Sequence, residues 1–203
     1  NDSCTLCNNE MAVKIKNADG TKYYISYEIA LHNFANNDTV TILKDIEIGT
    51  DSANSIDANI SLDLNGKKIS GIIYITGTVL INDSLNNASV SVSLISDDAN
   101  VTFAGNYDTE VKVQVLGGTF KLHGGKLVSA STSNAQKLAD MLPDGYIFRY
   151  NSANSQYNLT YSQASVTMFS EEGAYLDITR CEHAYLDSNN VCIYCNEALN
   201  DSD

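Results

Sequence analysis

Three cysteines and one histidine lie within fifteen residues near the end of the chain, in the pattern Cys-x-His-x8-Cys-x2-Cys. They are Cys181, His183, Cys192 and Cys195. A Cys-x2-Cys pair on a tight turn directs two thiolates at one ion, and a second pair made of Cys and His completes a tetrahedron. Because protein atoms would fill all four positions, the pattern predicts a structural zinc knuckle without an open position for catalysis.

Disulfide bonds are the alternative use of these cysteines, as in many secreted proteins. The chain has five cysteines, and an odd number fits poorly with complete pairing. Zinc would contribute about 10–16 kcal/mol of apparent folding free energy to so small a module, against about 2–4 kcal/mol for a disulfide. The sequence favours zinc and leaves the disulfide open.

A partial copy of the motif lies at the start of the chain, where CTLCNNEMA at 4–12 aligns with CIYCNEALN at 192–200. Cys4 and Cys7 each lie 188 residues before their counterparts, and they form a possible second half-site. Internal similarity at a fixed period is typical of tandem arrays. We interpret the chain as one period of such an array, cut out of a longer protein, with neighbouring repeats as partners. Two unrelated Cys-x2-Cys pairs are the alternative.

Short apolar alternations recur about every twenty residues through the middle of the chain. One series comprises Ile42, Leu62, Ile81, Val101 and Phe120. An interleaved series lies at 46–48, 73–75, 92–94 and 113–115, with Leu94 spaced between Ile75 and Val115. Two strands per period predict the coils of a β-solenoid, in which the first series forms one inward ladder. A β-sandwich is the alternative, because its strands are similarly frequent.

The segments that flank the repeats are predicted to close the ends of the solenoid. Before the coils, 12–26 reads as a hairpin and 27–37 as a helix, with Ser26 as its N-cap. The predicted apolar stripe of that helix contains Ile29, Ala30 and Phe34.

After the coils, the segment 133–146 reads as a second helix with Leu138, Met141 and Leu142 apolar. A hairpin at 146–161 and strand-like segments at 164–170 and 174–179 lead into the knuckle.

The predicted fold class is therefore mainly β: a short right-handed parallel β-helix of about 20 residues per coil, with capping helices and a small zinc knuckle. Its predicted parts, in order, are the remnant of the preceding knuckle, the N-terminal hairpin and cap helix, the β-helix, the C-terminal helix and hairpin region, and the knuckle with the start of the next linker. They span 1–11, 12–37, 38–130, 131–179 and 180–203.

The composition excludes several partners. The formal net charge is −13, so the chain would repel nucleic acids and anionic membranes. No run of eighteen apolar residues is present, which argues against membrane insertion. Abundant Asn and Ser in short turns between strands are typical of secreted and cell-surface β-proteins. We expect a monomer.

Catalysis is a weaker hypothesis. The β-helix scaffold also carries polysaccharide hydrolases and lyases, and hydrolases use clustered aspartates. Asp97 and Asp98 are the only adjacent pair of acidic residues in the repeat region, and they read as a solvated turn. His123 reads as an outward or turn residue without a catalytic partner nearby in sequence. The sequence therefore favours a protein without catalytic residues.

Two groups of tyrosines form a candidate binding surface, because tyrosine supplies large contact area at low entropic cost. One lies in the C-terminal hairpin region and the other lies beside the N-terminal helix. The residues are Tyr146, Arg149, Tyr150, Tyr157, Tyr161, Tyr23, Tyr24 and Tyr27. The alternative is that these rings pack the end segments onto the solenoid.

Several phrases resemble a family of tandem-repeat β-helix surface proteins of gut Firmicutes. They are ISLDLNGKKISG at 60–71, TVLIND at 78–83, GGTFKLHGG at 117–125, LADMLPDGYIF at 138–148 and the closing Cys/His motif. The resemblance implies an adhesin-like module at the bacterial cell surface that binds a host protein or glycoprotein. Some members bind host immunoglobulins in superantigen fashion. A passive stalk is the alternative that the sequence leaves open.

Overall fold

The computed structural model describes residues 11–49, 54–105, 109–132, 138–163 and 171–199. The half-site cysteines Cys4 and Cys7, the predicted strand 164–170 and the first five residues of the predicted helix 133–146 lie outside these ranges. None of the helices in the described ranges is long and apolar enough to cross a membrane.

The described residues form two β-sheets. The first sheet contains β1 (Val13–Asn17), β2 (Gly20–Tyr24), β3 (Thr39–Ile42), β6 (Ile60–Asp63), β8 (Thr78–Asn82), β10 (Asn100–Phe103) and β12 (Thr119–Leu122). The second contains β4 (Ile46–Glu47), β5 (Ser55–Ile56), β7 (Lys68–Ile75), β9 (Ser89–Ile95), β11 (Glu110–Val115), β13 (Lys126–Thr132), β14 (Tyr146–Asn151), β15 (Gln156–Asn158) and β16 (Tyr175–Arg180).

From β3 to β13 the chain winds as a parallel β-solenoid of about four turns, as predicted. It passes alternately between the two sheets, and each strand pairs in parallel with the strand one coil earlier. Alternate side chains point inward, and the aliphatic and aromatic side chains of both sheets form one continuous core. A single coil cannot bury its inward-facing side chains alone, so the stacking of coils stabilises the solenoid.

The single inward ladder predicted from the sequence is wrong in register, although all five of its residues are buried. Leu62 pairs with Val40 and Ile81, but Ile81 pairs with Phe103 instead of Val101. The turns differ in length from coil to coil, so residues chosen at a uniform spacing of about twenty do not all pair with one another. A slip of two residues keeps a side chain on the same face, which is why burial was predicted correctly.

The second series slips for a related reason. Ile95 pairs with Ile75 and with Val115, at the place where the prediction put Leu94. Gln114 and Val115 of β11 pair with Ser93 and Ile95, so β9 contains one extra residue at this place. The register of β9 also shifts along its other neighbour, β7.

Antiparallel strands end the parallel stack on both sides. β1 pairs antiparallel with β3 and β2, as the predicted N-terminal hairpin requires. At the other end β16 pairs antiparallel with β13 and β14, and β15 completes the predicted hairpin with β14.

The N-terminal helix α1 (Tyr27–Leu31) is shorter than predicted. Ser26 caps it as expected, since its Oγ accepts a hydrogen bond from the Ile29 N–H. The prediction that Ile29 faces the core is wrong, because this residue is 49% exposed. The buried positions are Tyr27, Ala30 and Leu31, which share one face at helical spacing.

At the C-terminal end a short 3-10 helix, Leu138–Met141, packs against β12. Leu138, Met141 and Leu142 are buried, as predicted. The Lys121 ammonium donates a hydrogen bond to the Asp140 carbonyl oxygen at 2.7 Å, which fastens the helix to the last strand of the first sheet.

Asparagine and aspartate side chains link successive coils. Asn59 Oδ1 accepts from the Thr78 N–H, Asp45 Oδ1 from the Lys68 N–H, and Asp63 Oδ1 from the Ser84 N–H, at 2.9–3.0 Å. These contacts join residues one coil apart in sequence. The Asx-rich turns therefore do more than reverse the chain: they satisfy backbone donors of the next coil that would otherwise be exposed at strand starts.

Candidate metal centre

The knuckle begins where β16 ends. The Cys181 N–H donates to the Gly145 carbonyl oxygen at 2.8 Å, which fixes the first cysteine against the start of β14. His183, two residues further on, has a positive φ of 51°. Side-chain contacts place Cys181 beside Cys192 and His183 beside Cys195 of the returning segment.

A tight turn brings the chain back. The Asp187 carboxylate accepts hydrogen bonds from the N–H groups of Asn189 and Val191, at 2.7 and 3.0 Å. Asn196 follows the Cys-x2-Cys pair with φ 60°, and its N–H donates to the Cys192 carbonyl oxygen at 2.8 Å. Asparagine tolerates this left-handed conformation, and Asn8 occupies the same position in the N-terminal copy.

The four predicted ligands converge. One ligand atom from each of Cys181, His183, Cys192 and Cys195 lies within 4.8 Å of all the others. The Sγ atoms of Cys181 and Cys192 are 3.4 Å apart, and Cys195 Sγ lies 3.6 Å from His183 Nδ1. In a tetrahedral site with metal–sulfur bonds of about 2.3 Å, two ligand sulfurs would lie about 3.8 Å apart, and a ligand sulfur and a ligand nitrogen about 3.5 Å apart. The group could therefore hold a metal ion.

The protein environment already favours one thiolate. Burial opposes ionisation of Cys192, but hydrogen bonds from the N–H groups of Cys195 and Tyr194 outweigh it and lower the pKa of this thiol to about 7. Burial raises the pKa of the Cys195 thiol to about 12, and burial likewise raises the pKa of Cys181. Three close thiolates repel one another, so a cation is what would allow all three to ionise together.

A carboxylate lies beside the histidine. His183 Nε2 is 3.7 Å from Glu197 Oε2, and the same oxygen lies 4.0 Å from Cys195 Sγ. In metal sites such a carboxylate orients the ring and selects the tautomer whose free nitrogen binds the ion. Glu197 was not predicted, because a single glutamate two residues after the last cysteine has no distinctive spacing.

The candidate tyrosines differ in exposure, and only some of them lie at the surface. In the C-terminal hairpin Tyr146 and Tyr157 are exposed, whereas Tyr150 is buried and its ring stacks on Tyr157 at 5.0 Å. Arg149 is half-buried and its Nε donates to Asn158 Oδ1 at 3.1 Å. The Tyr161 hydroxyl donates to Asp140 Oδ1 at 2.7 Å.

The N-terminal group divides similarly. Tyr23 is exposed, Tyr24 is half-buried and Tyr27 is fully buried, where burial raises the pKa of its hydroxyl. The ring of Tyr27 packs edge-on against Phe34 at 6.1 Å between centroids. Three of the eight predicted residues, Tyr23, Tyr146 and Tyr157, thus present large exposed side chains.

Asp97 and Asp98 lie exposed in the turn between β9 and β10, and His123 is exposed after β12. Within the described ranges, the Cys/His group is the only cluster of three or more His, Cys, Asp or Glu residues whose ligand atoms could share an ion.

Comparison with protein-family models, with curated proteins and with solved structures gave no significant match.

Proposed function

We propose that this chain is one repeat unit of a secreted bacterial cell-surface protein that binds a host protein or glycoprotein. A structural zinc ion closes its C-terminal knuckle. No catalytic role is assigned to any residue. The zinc and the binding role rest on different observations, and each has its own test.

The donor set supports zinc as the metal. Three thiolates and one imidazole in a closed four-coordinate arrangement are the usual ligands of structural zinc, whereas calcium and magnesium prefer oxygen. Zinc bound by Cys181, His183, Cys192 and Cys195 would cross-link the knuckle. Elemental analysis of the chain purified under reducing conditions should find zinc at the knuckle. A zinc content near zero in the reduced, folded chain would contradict this assignment.

The single observation that supports binding is the exposed aromatic face of the hairpin β14–β15. Tyr157 is 43% exposed, and its ring is held by stacking on the buried Tyr150. A tyrosine that is already ordered loses little entropy when a partner covers it. Tyr146, on β14, is also exposed, and tyrosine is enriched in protein-binding hot spots. Arg149 belongs to the other face of the hairpin, because it neighbours Tyr150 on β14 and pairs with Asn158. An immunoglobulin is the first partner to test, as the family resemblance implies.

Surface plasmon resonance of the immobilised chain with purified human immunoglobulins and mucosal glycoproteins tests the proposal. Tyr157→Ala should weaken binding by roughly thirtyfold, the effect of a hot-spot tyrosine. Tyr23→Ala is the matched control, since Tyr23 is equally exposed (45%) but belongs to the hairpin at the other end of the solenoid. Absence of binding to every partner would contradict the binding role, and equal effects of the two substitutions would contradict the assigned face.

A passive stalk is the second candidate, and the side-chain hydrogen bonds between coils favour it, because they stiffen the solenoid along its axis. A stalk would retain no host protein and would still bind zinc.

A further inference from the structure

The knuckle exposes three large apolar side chains. Tyr185 is 61% exposed, and Leu186 and Ile193 are also exposed. The Ile193 N–H donates to the Tyr185 carbonyl oxygen at 3.1 Å, so these two residues are neighbours, and the Tyr185 ring contacts Tyr194 edge-on. Single exposed apolar residues are ordinary, but three within one small module indicate a contact surface.

The opposite end of the described molecule carries a second apolar group. Tyr23 is exposed on β2, Ile25 is exposed in the bend after this strand, and Ile29 is exposed on α1. β2 is also the outermost strand of its sheet. An outermost strand with exposed aromatic and aliphatic side chains is a surface that proteins usually cover.

The two ends carry opposite charge. Residues 181–199 contain the acidic Glu182, Asp187 and Glu197 and neither lysine nor arginine. Residues 13–31, which span β1, β2 and α1, contain three lysines, Lys14, Lys16 and Lys22, and two acidic residues, Asp19 and Glu28. This local excess of lysine stands out in a chain whose net charge is −13. Opposite potentials on two apolar surfaces favour their association and fix its orientation.

We propose that the knuckle of one unit packs against the β1–β2 hairpin and α1 of a second copy of this chain, joined to it in tandem. This inference rests on the tandem-repeat part of the proposed function. In the N-terminal copy of the motif, Cys7 precedes the first residue of β1 by six residues. Six residues span at most about 20 Å, so a second copy joined after Cys195 at this spacing would have its hairpin close to the knuckle.

A two-unit chain tests the contact. It joins residues 1–199 to residues 12–203, which keeps the 188-residue phase of the repeat. Urea unfolding of this chain is compared with that of the single unit. Ile193→Ser in the first unit should increase the unfolding equilibrium constant of the two-unit chain roughly tenfold more than that of the single unit, because only the former has a partner surface to lose. Leu80→Ser, at a comparably exposed residue of β8, is the control and should affect both chains equally.

Charge exchange gives an independent readout. Glu182→Lys in the first unit and Lys22→Glu in the second should each weaken the two-unit chain, and the two substitutions together should restore its stability. Substitution effects that are the same in single and two-unit chains, without restoration by the double charge exchange, would overturn the contact. These experiments measure unfolding and not the capture of a host protein. A negative result would therefore overturn the contact between units without contradicting host binding, and absence of host binding would not contradict the contact.

Discussion

Asp83 shows how one residue can join three coils. Its carboxylate is 2% exposed and accepts hydrogen bonds from the Gly66 N–H at 2.6 Å, the Ala88 N–H at 2.7 Å and the Thr109 hydroxyl at 2.9 Å. Burial alone would raise the pKa of Asp83, but these donors stabilise the carboxylate and the net effect is a lowered pKa. The folded structure thus favours the ionised form of Asp83.

Asp83→Ala should lower the free energy of unfolding by about 2–5 kcal/mol at neutral pH, because buried donors lose their acceptor. Urea denaturation measures this loss. Asp98→Ala, in an exposed turn, is the control and should change stability little. Equal losses for both variants would show that Asp83 contributes no more than a surface residue.

The lowered pKa also predicts a pH dependence. The stabilisation from the Asp83 carboxylate is fully present above the unfolded-state pKa of about 3.9 and is lost as the pH falls through the lower folded-state pKa. Acidification below about pH 4 should therefore destabilise the native chain more steeply than Asp83→Asn. Parallel pH curves of unfolding free energy for the two proteins would contradict this role.

At this scale the sequence identified the four residues that converge as candidate metal ligands, but not Asp83. The spacing of Cys181, His183, Cys192 and Cys195 is distinctive because few local structures need it. Asp83 stands in an Asn-Asp dipeptide that looks like many surface turns in this chain. Its importance arises from Gly66 and Thr109, which are distant in sequence, so no local pattern marks it.

Among the secondary-structure elements, β7 contains a close approach between the backbones of two coils. Gly71 lies within this strand at φ +99°, and a Cβ atom there would be 2.0 Å from the Ile48 carbonyl oxygen. The contact is with backbone, which cannot move aside as a side chain can. Glycine is therefore required at this position both for conformation and for space.

Gly71→Ala should destabilise the chain by roughly 2 kcal/mol more than Gly20→Ala, as measured by thermal or urea unfolding. Gly20 is the matched control because it too has a positive φ, +123°, but a Cβ atom there would have no neighbour within 4 Å. Both variants place a side chain at a positive φ, so the difference between their unfolding free energies isolates the clash of a Cβ atom at position 71 with the Ile48 carbonyl oxygen. Similar losses would mean that the coils can separate at β7 without cost.

The inward ladders give a second prediction for the elements. Phe103 is buried between Ile81 and Leu122, and Phe103→Ala should cost about 3–5 kcal/mol through the cavity that it leaves. Leu80→Ala, on the outward side of β8, is the control and should cost under about 1 kcal/mol. A small loss at Phe103 would indicate that the core collapses around the cavity.

The elements were predicted better than their register. Apolar alternation and a steady period identified the strands, because both follow directly from inward packing. Register depends on the number of residues in each turn, and those numbers vary between coils. The helix α1 was predicted too long because Phe34, three residues after its end, is partly buried against the core from a turn instead of a helix.

On the scale of the whole molecule, the knuckle has a small core of its own. This core of Ile147, Cys181 and Cys192 is distinct from the continuous core of the solenoid. So small a core cannot stabilise nineteen residues by burial alone. We therefore expect the proposed zinc ion to contribute most of the stability of the knuckle.

Removal of zinc by a chelator should unfold residues 181–199 while the solenoid persists. Hydrogen exchange should accelerate in the knuckle at least a hundredfold, and the β-sheet circular dichroism should change little. Cys192→Ser should have the same effect, whereas Ser188→Ala, in the exposed turn of the same knuckle, should have none. Unchanged exchange after metal removal would show that the knuckle folds without a metal.

The antiparallel strands at the two ends of the stack have a mechanical consequence. Each set interrupts the parallel winding, so copies joined in the proposed tandem array could not merge into one uninterrupted coil. Under tension, an array of these units should extend in discrete steps, each step releasing one module while its neighbours hold. A filament built this way would absorb shear gradually and recover its length when the flow stops.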